Sequence, residues 1–110
     1  MCRAVWVLIY AANAGATKRL SVAAGAEAQV VGDATTSDVL IALIATTRAD
    51  ALIVDAGAPN AAVIASMSAR DRAVIWVGDG APDGLLAISD DDTLAAELPS
   101  AITRALIARR

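Results

Sequence analysis

The sequence predicts an α/β domain in which a mostly parallel sheet of about five strands is covered by helices on both faces. Short apolar runs alternate with longer segments of helical periodicity, which is the order typical of βα units. The apolar runs also lack the alternation that a sheet with one solvated face would show. A chain of 110 residues can bury one core of this kind, so we expect residues 1–110 to form a single domain.

The first half of the chain contains three predicted strands and two predicted helices. The strands are residues 5–10, 28–32 and 51–55. Asn13 can cap a first helix over residues 17–24, which Gly25 ends. Ser37 or Asp38 is expected to cap the second helix. The residues that share its apolar face are Leu40, Leu43, Ile44 and Thr47.

The second half continues with a third helix, two strands and a final helix. Pro59 and Asn60 are expected to open the third helix and to turn three larger residues toward the core: Val63, Ile64 and Met67. The strands are residues 73–77 and 85–88. The final helix has Leu94, Leu98, Ile102 and Leu106 at near-helical spacing, with Pro99 in its first turn or at a kink. Three acids at 90–92 are expected to cap it, where the helix dipole favours them.

Composition limits the partners of such a domain. The formal charge of −3, with basic residues scattered except at Arg109 and Arg110, argues against direct nucleic-acid binding. Cys2 is the only cysteine and histidine is absent, so neither a disulfide framework nor a His/Cys metal site is expected. We therefore expect a cytoplasmic protein without a metal or other cofactor. The apolar run at the start is too short to span a bilayer.

The same run also resembles a short secretory signal, with a possible cleavage site at residues 12–14. Removal of that segment would delete the most apolar strand of the predicted sheet. We therefore interpret it as a strand.

Strands and helices in this order describe a flavodoxin-like doubly wound sheet, in which functional residues follow the carboxyl ends of the strands. Six residues are therefore candidates for lining one crevice: Tyr10, Asn13, Asp33, Asp55, Gly78 and Asp79.

Several segments resemble the receiver domain of response regulators, especially of those that carry a LuxR-type DNA-binding domain. Residues 29–34 resemble the family's "VVGEA" second strand. Residues 52–59 resemble its "VLLDLRMP", with the aspartate at Asp55 and the proline four residues later. Residues 84–86 and 101–105 are similar to its "GYLLK" and "AAIRA". The resemblance covers nearly the whole chain and implies a role in signal transduction.

In receivers, this resemblance implies two acids after the first strand that bind Mg²⁺ together with the third-strand aspartate. It also implies a Thr or Ser after the fourth strand and a Lys after the fifth. Such groups offset the charge when a carboxylate attacks a phosphoryl group. Here no Asp or Glu precedes Glu27, the only lysine is Lys18, and Val77 and Gly78 stand at the end of the fourth strand.

Asp55 is therefore expected to be a vestigial phosphoacceptor. A lone carboxylate binds Mg²⁺ weakly, because that ion dehydrates reluctantly. Asp55 is then a strand-end carboxylate that caps backbone N–H groups, a residual phosphoacceptor or a ligand contact.

The connection between the fourth and fifth strands is the second departure from the family. About six residues, 78–83, replace the full helix that typical receivers have there. A parallel crossover usually takes a dozen residues or more. The fifth strand could therefore return through an extended segment, run antiparallel to the fourth or pair with another molecule. We expect one face of the sheet near Trp76 and Leu85 to lose its cover, unless the last helix shifts over it.

The predicted function is that of a non-enzymatic pseudo-receiver, acting through dimerisation or through docking to another signalling protein. Its expected surface is the side of the fourth strand and last helix, with these candidates: Trp76, Leu85, Leu94, Leu98 and Ile102. A small-molecule sensor with its ligand in the crevice by Asp55 is the alternative, and a residual phosphoacceptor is the third. An open, polar crevice would favour a sensor, whereas a crevice filled by Tyr10 and apolar side chains would favour docking.

Overall fold

Five parallel strands form one sheet in the computed structural model, which describes residues 5–25 and 28–108. The strands are β1 (Val5–Tyr10), β2 (Ala28–Ala34), β3 (Ala51–Asp55), β4 (Ala73–Val77) and β5 (Leu86–Ile88). The helices are α1 (Ala14–Ala24), α2 (Ser37–Thr46), α3 (Ala61–Ser68) and α4 (Leu94–Ala108). The spatial order β2-β1-β3-β4-β5 is the flavodoxin-like order, so the predicted fold class is confirmed.

Two apolar clusters cover the two faces of the sheet. Helices α1 and α4 pack on one of them, and α2 and α3 pack on the other; these are the α1/α4 face and the α2/α3 face. Every residue of β3 and β4 is buried, because both strands lie inside the sheet and are covered on both sides. This burial explains why the strand sequences are apolar without alternation. Cys2, Glu27, Arg109 and Arg110 lie outside the described residues.

The helix starts are partly as predicted. Asn13 caps α1, with its side-chain oxygen accepting the Ala16 N–H at 2.9 Å, and Gly25 ends this helix at φ 80°. The cap of α2 is Thr36, whose hydroxyl accepts the Val39 N–H. The prediction of Ser37 or Asp38 is wrong by one or two positions, because the helical conformation already begins at Ser37.

The inward face of α3 differs from the prediction. Val63 and Met67 are 61% and 63% exposed, and Ile64 is half-buried. The buried residues are the small ones: Ala61, Ala65 and Ser68. They follow one another at helical spacing on the side that packs against β3 and β4, where bulky strand side chains leave room only for small helix residues.

The connection from β4 to β5 contains no helix, and β5 is parallel to β4, with Ile75 paired to Leu86 and Val77 to Ile88. Of the three arrangements predicted for the fifth strand, the one in which an extended segment leads back to a parallel strand is correct. Ala81 and Leu85 pack on the α2/α3 face, and the Trp76 indole N–H donates to the Asp79 carbonyl at 3.0 Å.

Trp76 is consequently only 3% exposed. The predicted loss of cover near this residue is wrong. The alternative is wrong too, since α4 lies on the other face and the connecting segment itself supplies the cover.

The last helix places its predicted apolar stripe against the sheet. Leu94, Leu98 and Ile102 are buried and Leu106 is half-buried. Pro99 lies inside α4, in the second turn. None of the helices in the described part of the chain is both long and apolar enough to cross a membrane.

Candidate functional site

Asp55 ends β3 and its carboxylate binds two backbone N–H groups. Oδ2 accepts the Ala12 N–H and Oδ1 accepts the Gly57 N–H, each at 3.2 Å. The side chain is only 8% exposed. Because Ala12 follows β1, the carboxylate links the ends of two neighbouring strands. These bonds match the expectation that Asp55 is a strand-end carboxylate capping nearby N–H groups.

Tyr10 ends β1 on the α2/α3 face and is fully buried. Its hydroxyl donates to the Pro59 carbonyl, which can only accept. Since this bond uses the phenolic proton, the Ser37 hydroxyl donates to the Tyr10 oxygen, at 3.2 Å. The ring therefore fills the space between β1, the start of α2 and the loop before α3. Tyr10 is therefore an internal packing residue and does not line an open crevice.

Asp33 lies apart from Asp55. It is paired with Ile9 in the register of β1 and β2, whereas Ile9 is level with Ile53 in β3. Asp33 is therefore two residues back along the strand direction and two strands away from Asp55. These offsets correspond to about 7 Å along the strands and about 10 Å across them. The two carboxylates are too far apart to bind one metal ion.

The other crevice candidates have backbone or capping roles. Asn13 is the cap of α1. Gly78 has φ 119°, and a Cβ there would come within 2.8 Å of the Ala56 Cβ, so this turn requires glycine. Asp79 is exposed, and its carbonyl accepts the Trp76 indole N–H. The structure thus brings Asp55 and the loop after β1 together, but does not gather the six candidates into one polar site.

No metal centre is formed by the described residues. Within 5–25 and 28–108 there is no group of three or more Asp, Glu, His or Cys side chains placed to hold an ion. Ala11 and Ala12 follow β1, and Ser89 follows β5. The strand ends thus present one buried carboxylate among alanine, glycine and serine.

Four of the five interface candidates are inside the chain. Trp76, Leu94, Leu98 and Ile102 are each less than 5% exposed, because the connecting segment and α4 cover the sheet. Leu85 is half-buried. The expectation that these four side chains form an interface is corrected by their burial; for Leu85 it stays a prediction.

Two open surface pockets lie beside α4. One, of about 440 Å³, runs between α1 and the start of α4 past Lys18, Arg19 and Val22. The other, of about 370 Å³, lies by Gly78 and Ser89, with Glu97 and Arg104 on its wall. Neither is lined by Asp55.

Sequence reasoning missed the partners of Asp55. The Gly57 N–H had a detectable signal, since Asp often accepts the backbone N–H two residues ahead in a turn. The Ala12 N–H had none, because a backbone donor from another strand carries no residue signature. Its position depends on how β1 and β3 are aligned in the sheet.

Comparison with known proteins finds neither a matching family model nor a matching curated protein. Solved structures do match. The signal receiver domain of an HD domain-containing protein from Pseudomonas fluorescens Pf-5 gives a TM-score of 0.75 at 15% identity, covering 97% of this chain and 98% of that one.

Two longer regulators are similar as well. The PhyR stress response regulator gives a TM-score of 0.65 at 15% identity, covering 98% of this chain and 48% of its own. RcsB from Salmonella enterica serovar Typhimurium, solved bound to promoter rprA in the presence of the phosphomimetic BeF3−, gives 0.62 at 19% identity, covering 94% and 65%. At these identities the likeness concerns the fold: the chain has the fold of receiver domains.

Proposed function

We propose that this chain is a receiver-like domain of signal transduction or transcriptional regulation that acts by docking to protein, without phosphorylation of Asp55 and without catalysis. The observation that carries the proposal is the state of the Asp55 carboxylate. Both of its oxygens bind backbone N–H groups, in a site that has neither the acids nor the lysine that phosphoryl transfer to it would require.

Charge explains why these absences matter. A carboxylate that attacks a phosphoryl group brings two anions together, and a metal ion and a cation must offset the repulsion. The chain has no acid before Glu27 to help bind the metal, and its one lysine lies on α1. Residues 88 and 89, at the end of β5, are isoleucine and serine.

The burial of Tyr10 favours docking over ligand sensing. Tyr10 is fully buried between β1, α2 and the loop before α3, and its hydroxyl is held by two hydrogen bonds. A domain with a receiver fold and without phosphorylation chemistry at Asp55 has its outer surface left for function. We propose a protein partner, either a second copy of the chain or another signalling protein. The single cysteine and the absence of histidine fit a cytoplasmic location.

Phosphorylation of the purified chain by acetyl phosphate with Mg²⁺, followed by intact mass measurement, tests the proposal. We expect no stable adduct, whereas a receiver with the complete set of acids and lysine, treated in parallel, should gain one. The matched variants are Asp55→Asn and Asp33→Asn, since Asp33 is an exposed carboxylate at the end of β2. An adduct that disappears in Asp55→Asn but persists in Asp33→Asn would overturn the proposal.

A further inference from the structure

The outer surface formed by α2 and α3 is almost free of charge. These helices have ten and eight residues, and Asp38 is the only charged residue among them. On the other face of the sheet, α1 and α4 carry four charged residues: Lys18, Arg19, Glu97 and Arg104. Ordinary solvent-facing helices have charged residues on their outer side, so α2 and α3 are the exception in this chain.

Large apolar side chains are exposed on this same surface. Of the six exposed large apolar residues in the described part of the chain, four belong to α2 and α3: Val39, Ile41, Val63 and Met67. Small residues lie between them, with Ala42 and Ala45 exposed on α2. We call the exposed residues of α2 and α3 the outer α2/α3 face. Exposed apolar residues grouped on one side of a protein mark an interaction site.

Both helices pack on the same side of the sheet, so their exposed residues face the same way. Helix α2 packs against β2, and α3 packs against β3 and β4. The surface is roughly 15 Å long, since a ten-residue helix rises about 1.5 Å per residue, and roughly 20 Å wide.

The lack of charge on the outer α2/α3 face limits which partners can bind to it. An uncharged surface offers no complement to an acidic or basic partner, but it is complementary to itself. The two ends of α2 carry charges of opposite sign: exposed Asp38 in the first turn and exposed Arg48 just beyond the last. Two copies related by a twofold axis, with their α2 helices antiparallel, bring Asp38 of each against Arg48 of the other. If α2 packed against α2 in the parallel orientation, like charges would come together.

We propose that the outer α2/α3 face binds a second copy of this chain in a twofold dimer with antiparallel α2 helices. This rests on the proposed docking function and names its surface and partner. A contact of this kind is isologous, with the same patch used by both copies. The alanines of α2 permit close approach, and Ile41, Val63 and Met67 supply the apolar contact.

The dimer is expected to be weak. Stable interfaces bury about 800 Å² per partner, and a surface this small lies below that size, among weak and transient contacts. We expect dimers at about 100 μM protein and monomers at about 1 μM, as for a dissociation constant in the micromolar range.

Sedimentation equilibrium with a matched pair of isoleucine variants tests the proposal. Ile41 and Ile107 are 60% and 59% exposed, and lie on α2 and α4, on opposite faces of the sheet. Ile41→Lys should raise the dimer dissociation constant at least tenfold, whereas Ile107→Lys should leave it within about twofold. A wild-type chain that stays monomeric at the higher concentration overturns the proposal. So does a dimer that tolerates Ile41→Lys.

Met67→Lys on α3 is the second variant, in case Ile41→Lys perturbs folding, which circular dichroism would reveal. It should weaken the dimer as well.

Amide hydrogen exchange of the wild-type chain gives a measurement without substitution. Exchange in α2 and α3 should slow as protein concentration rises, while that in α1 should not change. Slowing in α1 or α4 instead contradicts the proposed surface.

A charge exchange tests the antiparallel arrangement. Asp38→Arg and Arg48→Asp should each weaken the dimer, because each places like charges opposite one another. The double variant should recover most of the loss, since it restores opposite charges across the axis. No recovery contradicts the antiparallel arrangement. The phosphorylation test is independent of these results. The dimer proposal can therefore be contradicted while the proposed function stands, and an adduct on Asp55 can contradict the proposed function while the dimer is observed.

Discussion

Helix α3 packs on the sheet differently from the helices on the opposite face. On the α1/α4 face, large apolar side chains point inward, with Leu20 and Leu98 fully buried. Charged residues stand outside, where Arg19 forms a salt bridge with Asp90 at 2.9 Å. On the α2/α3 face, α3 buries alanine and serine and exposes valine and methionine.

The strands explain the difference. Toward α1 and α4, strands β3 and β4 present small residues, Ala51 and Ala73, beside isoleucines. Toward α2 and α3 they present larger ones, among them Leu52 and Trp76, next to Tyr10 from β1. Protein interiors are filled to nearly constant density, so large residues of the sheet meet small residues of the helix and the reverse. Which side of a helix is buried therefore depends on the volume of the strands opposite it, as well as on hydrophobicity.

Shortening a large inward residue of the α1/α4 face should have the largest effect. Leu98→Ala leaves a cavity at a fully buried position of α4 and should lower the free energy of unfolding by about 2–5 kcal/mol. Ile107→Ala, at an exposed position of the same helix, should change it by about 0.5 kcal/mol or less. Urea unfolding measures both. Equal losses would mean that α4 does not pack through its leucine stripe.

Enlarging a small inward residue of the α2/α3 face should have the next largest effect. Ala65→Leu places three extra carbons where α3 meets the sheet, at a fully buried position, and should cost about 1–3 kcal/mol. Ala62→Leu, on an exposed side of the same helix, should stay within about 0.5 kcal/mol. Equal stability of the two variants in urea unfolding would contradict the close approach of α3.

Most of the fold could be predicted from the sequence, because its strands are buried on both faces. Such strands have no alternation, and the segments between them have helical periodicity, so order and class follow. The inward face of α3 could not be predicted, since Val63 and Met67 are its larger apolar residues and periodicity alone favours them as core. The small residues are inside because of Trp76 and Leu52, which belong to other segments of the chain.

The burial of Trp76 by the connecting segment could not be predicted from the sequence either. The predicted connection of about six residues, 78–83, leaves its path open, and the bond from the Trp76 indole N–H to the Asp79 carbonyl has no signature in the sequence. At the candidate site, the missing acids after the first strand and the missing lysine after the fifth could be predicted from residue types alone. No alignment can supply them, because no acid precedes Glu27 and the only lysine is Lys18. The hydrogen bond from the Ala12 N–H to Asp55 could not be predicted, because it depends on the alignment of β1 with β3.

The smallest expected effect concerns the start of α4. Asp91 Oδ1 accepts the Thr93 hydroxyl at 2.6 Å and the Thr93 N–H at 2.9 Å, and the two bonds lower the pKa of the Asp91 carboxyl below its usual 3.8. At the start of α2, by contrast, an uncharged hydroxyl, that of Thr36, caps the helix.

A carboxyl whose pKa is lower in the folded state binds fewer protons there than in the unfolded chain, so it stabilises the fold above the unfolded value. That stabilisation is lost as pH falls through the folded pKa. Asp91→Asn should therefore be slightly less stable than the wild type at neutral pH, and the difference should vanish in acid below pH 3.8. Asp92→Asn is the matched control, because it leaves the Asp91–Thr93 bonds in place. Thermal unfolding across this pH range measures both, and a difference that grows in acid would contradict the assigned direction.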